Sequence, residues 1–327
     1  MGPGRPVVNG LAAVRRRGAL VAVGIVALVA AGCAVVPTYG TTTGSFEGFR
    51  VISSVPSKPV GIVFVFHGSG GGADFATKLE TVDMLNHLTA AGYGFVATES
   101  TDRSTKRWDT SSLSLSTNPD LARLVRLYAS LDAVRNSTHR VPIYAIGMSR
   151  GAGFASVFAQ AFENAGYPVG AIAPSHGQIP PSVRTAGGLT VPAFFALGAN
   201  DQFVDNDRVV AQVVDVAARG VDASATIEPE ADLHAARFLR VPGIDSATAD
   251  AIFSTLVDAG LWSSAGRRLA SIPTVEATLP SLSYPGNVTT DQKQLLRDQV
   301  HVVLAVHEYS ATFASRTVAL FDAHRAS

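Results

Sequence analysis

The sequence predicts an α/β fold, a mostly parallel central sheet with helices on both faces, and three observations predict it. Apolar, β-branched runs of strand length alternate with amphipathic stretches of helical spacing. The first such run, VGIVFVF at 60–66, is apolar throughout, as a strand covered on both faces must be. Glycine-rich turns follow the strands and open the helices. Of the 327 residues, 47% are hydrophobic and 16% charged, which excludes a disordered or fibrous chain. Lys+Arg and Asp+Glu are both 26, so no basic excess points to nucleic acid.

Residues 1–32 read as an export signal rather than as part of the fold. Arg15, Arg16 and Arg17 form a positive start, and 19–31 is an almost unbroken apolar run ending in small residues. About 20 apolar residues are needed to span a bilayer, so the run is too short for a comfortable crossing. Its end, Ala30-Ala31-Gly32-Cys33, resembles a bacterial lipoprotein signal box. That resemblance implies that Cys33, the only cysteine, becomes the new N-terminus, carries lipid and holds the protein on the outer face of the cell membrane. The alternatives are an ordinary cleavable signal with release of the protein, and twin-arginine export. The leader holds four arginines and no acid, so the remainder carries 22 cations against 26 anions. Residues 33–45, rich in Thr, Gly and Pro, are expected to form a tether to a domain at 46–327. One cysteine excludes an intramolecular disulfide and any cysteine-clustered zinc site.

Within that domain a helix is predicted over 75–91, closed by Gly92, and a second strand over 93–98. A Ser/Thr-rich loop at 99–118 leads to Pro119, which opens a helix to about 134. Strands follow at 141–146, 169–173, 191–197 and 223–227, with helices at 149–165 and 205–218. At about 230–290 the rhythm breaks: Phe238, Leu239, Ile244, Ile252, Phe253, Leu256 and Leu261 recur at helical spacings, interrupted by Pro242-Gly243 and Gly260. This predicts a helical insert, serving either as extra packing or as a cap over the substrate. No internal repeat is present.

The chemistry sits where strands end. Gly147-Met148-Ser149-Arg150-Gly151 is a Gly-x-Ser-x-Gly between a strand and a helix, the context in which the serine is lifted off the sheet at the positive end of a helix. The glycines are needed because the tight turn crowds neighbouring backbone. His67-Gly68-Ser69-Gly70-Gly71-Gly72 follows the strand at 60–66. It lacks the Lys-Ser/Thr of a phosphate loop and does not meet G-x-G-x-x-G, whereas an unencumbered loop suits a backbone N–H aimed at an oxyanion.

Taken together, these two motifs in this order resemble the α/β-hydrolase family, over most of residues 50–325. The resemblance implies a serine nucleophile, then an acid, then a histidine in chain order. It implies an oxyanion hole from the N–H groups of Ser69 and Arg150, with His67 fixing its loop. Gly198-Ala199-Asn200-Asp201 resembles the family's acid turn, so Asp201 is the expected acid, and Asp205 is better explained as the cap of the next helix. Two histidines compete for the base. His234 lies just beyond the strand at 223–227. His307, in His307-Glu308-Tyr309 beyond the insert, is preferred because an amphipathic stretch follows it, as in the family's ending. Helical spacing between Leu295 and His307 departs from the usual strand. His176 is expected to line the pocket and His301 to be structural, with His87, His139 and His324 solvated.

The predicted activity is hydrolysis of carboxylic esters, small or polymeric, through Ser149, His307 and Asp201, with no metal and no cofactor. Trp108 in the long loop is read either as a substrate platform or as a buried pin for that loop. The His-Gly loop and acid turn are similar to secreted esterases that include polyhydroxyalkanoate depolymerases and feruloyl or acetylxylan esterases, although that branch often carries disulfides. Acyl transfer to a cell-envelope hydroxyl, or a binding lipoprotein that kept the fold, are the other readings.

Overall fold

The computed structural model describes residues 33–138, 140–284 and 287–325, so the leader expected at 1–32 and the surface histidine His139 lie outside it. Eight strands form one sheet: β1 (Thr42–Phe46), β2 (Phe49–Ser54), β3 (Ile62–Phe66), β4 (Gly94–Thr98), β5 (Ile143–Met148), β6 (Val169–Ser175), β7 (Ala193–Gly198) and β8 (Ala223–Glu228). Their order is β1-β2-β4-β3-β5-β6-β7-β8, with β1 and β2 antiparallel and β4 through β8 parallel to one another. This is the α/β-hydrolase fold that the motif order implied. After β3 the chain moves outward to β4, then returns past β3 to β5. The loops after β3 and β5 therefore diverge, opening a crevice at the carboxyl ends of the strands.

Alternation along β3 shows why the sheet is covered twice. Ile62, Phe64 and Phe66 join a core with Phe154 and Phe158 of α4 (Arg150–Asn164) and with Val209 and Val213 of α6 (Asn206–Ala218). Val63 and Val65 join the opposite core, with Met84 and Leu85 of α1 (Leu79–Ala90) and Phe321 of α10 (Ala314–Ala323). Each buried phenylalanine contributes roughly 1.5–3 kcal/mol. The helix expected over 119–134 is two, α2 (Pro119–Ser130) and α3 (Asp132–Arg135), split where Leu131 adopts an extended conformation. The Asn118 side chain caps α2, accepting from the N–H groups of Asp120 and Leu121, with Pro119 in the first turn. A short α5 (Pro181–Thr185) follows β6.

Two expectations need correction. The first concerns the tether: Thr42–Phe46 is an edge strand, joined to β2 through Glu47 and Gly48, both at positive φ. Upstream, Val35 N–H donates to Arg240 O at 2.9 Å and Thr38 N–H to Asn86 Oδ1 at 2.8 Å, while Tyr39 packs edge-on against Phe95. The segment is thus fastened from Val35 onward. Its Thr- and Gly-rich composition is compatible with this because an edge strand pairs through its backbone and leaves its side chains in water.

The second concerns the helical insert. It sits between β8 and the C-terminal helix as expected, as a 3-10 turn (Ala235–Arg240) followed by α7 (Ser246–Asp258), α8 (Ile272–Thr278) and α9 (Thr290–Val303). It extends beyond 290, because Leu296, Val300 and Val303 of α9 share one core with Phe238, Ile252, Leu256 and Trp262. That core closes on Leu79 at the start of α1. None of the described residues of 230–290 lines the cleft described below, and the insert packs on α1 through Leu79 and Glu80. Among the described residues no helix is long and apolar enough to cross a membrane.

Candidate active site

Ser149 lies between β5 and α4 with φ 58° and ψ −119°. A non-glycine residue there carries strain of about 1–3 kcal/mol, held only because the surroundings over-determine it. The surroundings are specific. Ser149 N–H donates to Ser175 O at the end of β6, and Ser149 O accepts from the N–H groups of Ala152 and Gly153. A Cβ on Gly151 would stand 2.3 Å from Phe66 O, and one on Gly147 would stand 2.4 Å from Gly151 O. Both contacts are to backbone, so the two glycines of the motif are there for clearance.

Asp201 follows β7 in a turn docked on the segment that carries His307. Asn200 N–H donates to Ala305 O at 3.0 Å and Asn200 Nδ2 to Leu304 O at 2.8 Å. A Cβ on Gly198 would lie 2.3 Å from Ala305 O, which explains the glycine that opens the turn. His307 Nδ1 lies 2.8 Å from Asp201 Oδ2. The His176 ring also bonds that oxygen, its Nδ1 likewise at 2.8 Å. Asp201 Oδ1 accepts from the N–H groups of Phe203 and Val204. Burial alone pushes the carboxyl's pKa up; the hydrogen bonds from His176, His307 and Phe203 N–H outweigh it and hold the group well below the usual carboxylate range. An ionised carboxylate only accepts, so each ring carries its proton on Nδ1 and leaves Nε2 as its acceptor nitrogen.

A cleft of about 380 Å³ is lined by Ser69, Ser149, Arg150, His176, Phe203 and His307, among others. The site therefore brings together Ser149, His307, Ser69 and Arg150 in one space, with Asp201 behind the histidines. The N–H groups of Ser69 and Arg150 have no hydrogen-bond partner among the described residues, and the latter stands in the first turn of α4, where N–H groups lack helical partners. His234 is exposed at the start of the 3-10 turn and makes no bond to Asp201.

The substrate-platform reading of Trp108 is overturned. Its side chain is fully buried, stacked on Phe154 with centroids 4.7 Å apart and edge-on to Phe66, and its Nε1 donates to His67 O at 3.0 Å. An indole with both faces packed has none left for a ligand, so Trp108 pins the loop at 99–118 beneath the His-Gly turn. His67 is buried too, bonding Gly68 O through Nδ1 and accepting from Ser100 N–H through Nε2. Burial lowers its pKa. Asp205 caps α6, accepting from Arg208 N–H.

Phe203 was missed in the sequence. Its side chain is 82% exposed at the lip of the cleft, with its ring 5.0 Å from that of His307. An aromatic two residues after the acid was the available signal. Among the described residues, two clusters bring metal-type ligand atoms within 4.8 Å of one another: His176, Asp201 and His307, and Asp298, His301 and Glu308. In the first, both Nδ1 atoms are committed to the carboxylate. In the second, His301 is paired with Glu276 at 2.8 Å, and Lys78 lies 4.0 Å from Asp298.

No protein-family model matches the chain, and no curated protein sequence matches it. Among solved structures, an arylesterase is 13% identical with a TM-score of 0.44, over 69% of this chain and 87% of that one. A dienelactone hydrolase from Anabaena variabilis is 19% identical with a TM-score of 0.41, over 68% and 98%. A Bacillus cereus carboxylesterase is 18% identical with a TM-score of 0.38, over 56% and 85%. At these values the likeness is one of general layout.

Proposed function

We propose that this protein is a serine hydrolase of carboxylic esters. The observation that carries the reading is the strained Ser149 turn opening onto the same cleft as the Asp201-bound His307. Ser149 Oγ attacks the ester carbonyl while His307 Nε2 takes its proton, and Asp201 stabilises the resulting imidazolium. The N–H groups of Ser69 and Arg150 receive the oxyanion. Collapse breaks the bond to the alkoxide, which leaves with the proton from His307. Water, deprotonated by the same ring, then cleaves the acyl-Ser149 ester and restores the serine. The open cleft and the exposed Phe203 ring at its lip suit a hydrophobic ester, free or displayed on a polymer. A fluorophosphonate probe is expected to label the wild-type protein on Ser149, and p-nitrophenyl acetate, butyrate and decanoate are expected to be hydrolysed. No labelling and no turnover of any of the three would defeat the reading.

We further propose, from the leader-like residues 1–32 and the Ala30-Ala31-Gly32-Cys33 box, that the protein is exported and held by lipid on Cys33. Cys33 is exposed, and the chain is hydrogen-bonded to the body from Val35 onward. An acyl anchor there would hold the hydrolase domain close against the bilayer. Cys33→Ser is expected to move the protein from the membrane fraction to the soluble one with its esterase activity intact. Retention of the variant in the membrane fraction would count against the anchor.

A further inference from the structure

The ester-hydrolase reading leaves His176 without a role, and the geometry around Asp201 supplies one. We infer that His176 is a positioning residue for the reaction: its Nδ1–H fixes the Asp201 carboxylate that orients His307. The inference rests on the proposed function above.

An ionised carboxylate offers about four lone-pair sites. In Asp201 all four are filled, two on Oδ1 by the N–H groups of Phe203 and Val204 and two on Oδ2 by the imidazoles. The Asp201 side chain is fully buried and that of His176 nearly so. Within this set His176 is the only side-chain donor besides His307 itself. Without it, Oδ2 keeps a single partner, the same ring it is meant to hold. The carboxylate is then fixed only through Oδ1, by the N–H groups of Phe203 and Val204, and Oδ2 can shift about that hinge and carry His307 with it.

The surrounding backbone is built to accommodate this ring. His176 sits just past the end of β6 at φ 52°, a conformation uncommon for a residue with a Cβ, and its N–H donates to Ala196 O on the neighbouring strand. A Cβ on Gly198 would lie 2.8 Å from His176 Cε1. The glycine of the acid turn therefore makes room both for Ala305 O and for the second imidazole. The residue before His176, Ser175, receives the Ser149 N–H. One strand end thus supports the nucleophile through its backbone and the acid through a side chain.

The test compares His176→Ala with His176→Asn by steady-state kinetics on p-nitrophenyl butyrate. Asn places an amide N–H at the same number of bonds from the backbone as Nδ1, and it tolerates positive φ. Loss of the donor displaces His307 in a step where geometry is exacting, so kcat of His176→Ala is expected to fall about 100-fold. His176 also lines the cleft, so KM can rise with the lost wall, and the fall in kcat is what marks the positioning role. His176→Asn should recover most of the lost kcat. If strain keeps the Ala variant from folding, His176→Gly removes the donor without a Cβ at φ 52°. Wild-type kcat in the Ala or Gly variant overturns the inference, as does a rise in KM alone. An Asn variant that is folded and as slow as Ala also overturns it, because the ring's Nε2 would then be the working atom. Loss of these results together with an unaffected Ser149→Ala variant would instead remove the hydrolase reading and the inference with it.

Discussion

Ser149→Ala is expected to lower kcat on p-nitrophenyl butyrate by about 10⁴- to 10⁶-fold while leaving the fold intact. Removing the nucleophile or the base of a serine triad has effects of that order, and the residual rate comes from binding and the oxyanion hole. His307→Ala should fall to a similar level. The double variant should be no slower than either single one, since the two groups act as a unit. His234→Ala should retain most of the wild-type rate, because that side chain is exposed and unconnected to Asp201. A fivefold drop in kcat is only about 1 kcal/mol of barrier, within reach of indirect effects. Ser149→Ala losing no more than this would sink the mechanism. A dead His234 variant beside an active His307 variant would reassign the base.

What the sequence disclosed about this site follows from how local each signal is. Ser149 was legible because its constraint is contained in five residues: the turn needs glycine at 147 and 151, where a Cβ would strike backbone. Asp201 was legible for a similar reason, from the glycine that lets Ala305 approach. His307 was only preferred over His234, since the choice depends on where a long insert returns the chain. That return is made by Asn200 bonding Leu304 and Ala305, a contact across about a hundred residues that leaves no pattern in either segment. The shared hold of His176 and His307 on one oxygen was illegible for the same reason. The helix ending at Val303 was readable from spacing, and the capping box at Thr289 and Gln292 was there to support it. Trp108 shows the opposite limit. An aromatic in a polar loop has the same composition whether it packs inward or outward, and burial decides. The hairpin of β1 and β2 escaped because an edge strand with four exposed residues of five shows no apolar alternation.

The largest stability effect is expected at Glu80, which joins the insert to the sheet. Glu80 lies in α1, and its Oε1 accepts from Arg237, Arg240 and Gln299 at 2.9 Å each, while Oε2 accepts from Ala311 N–H at 3.0 Å. Arg240 also pairs with Asp83 at 2.8 Å. One carboxylate thus ties the 3-10 turn and α9 of the insert to α1 and to the segment just after His307. Burial pushes the Glu80 pKa up, but the Arg237 and Arg240 guanidiniums, with Ala311 N–H and Gln299, outweigh it and leave it below the ordinary glutamate value. For Arg237, burial wins and lowers the guanidinium's pKa, the mark of a cation that depends on its partner. Glu80→Ala leaves that buried cation unpaired, and breaking a buried pair in this way costs about 3–5 kcal/mol. Urea unfolding should show the loss either as a shift of the whole transition or as an early transition of the insert. Glu80→Gln, which keeps an acceptor without the charge, should fall between. The pH dependence has a fixed sign. A carboxyl whose native pKa is depressed contributes stability fully above its unfolded value of about 4.3 and loses it as pH falls through the native value. The gap between wild type and Glu80→Ala should therefore be constant near neutrality and narrow only in that acid range. An unchanged unfolding free energy at pH 7 would mean that the insert is held by its apolar contact with Leu79 and its other bonds, such as Val35 to Arg240 and Arg240 to Asp83, and not by Glu80. A gap that widened on acidification would mean that Glu80 is protonated in the native protein.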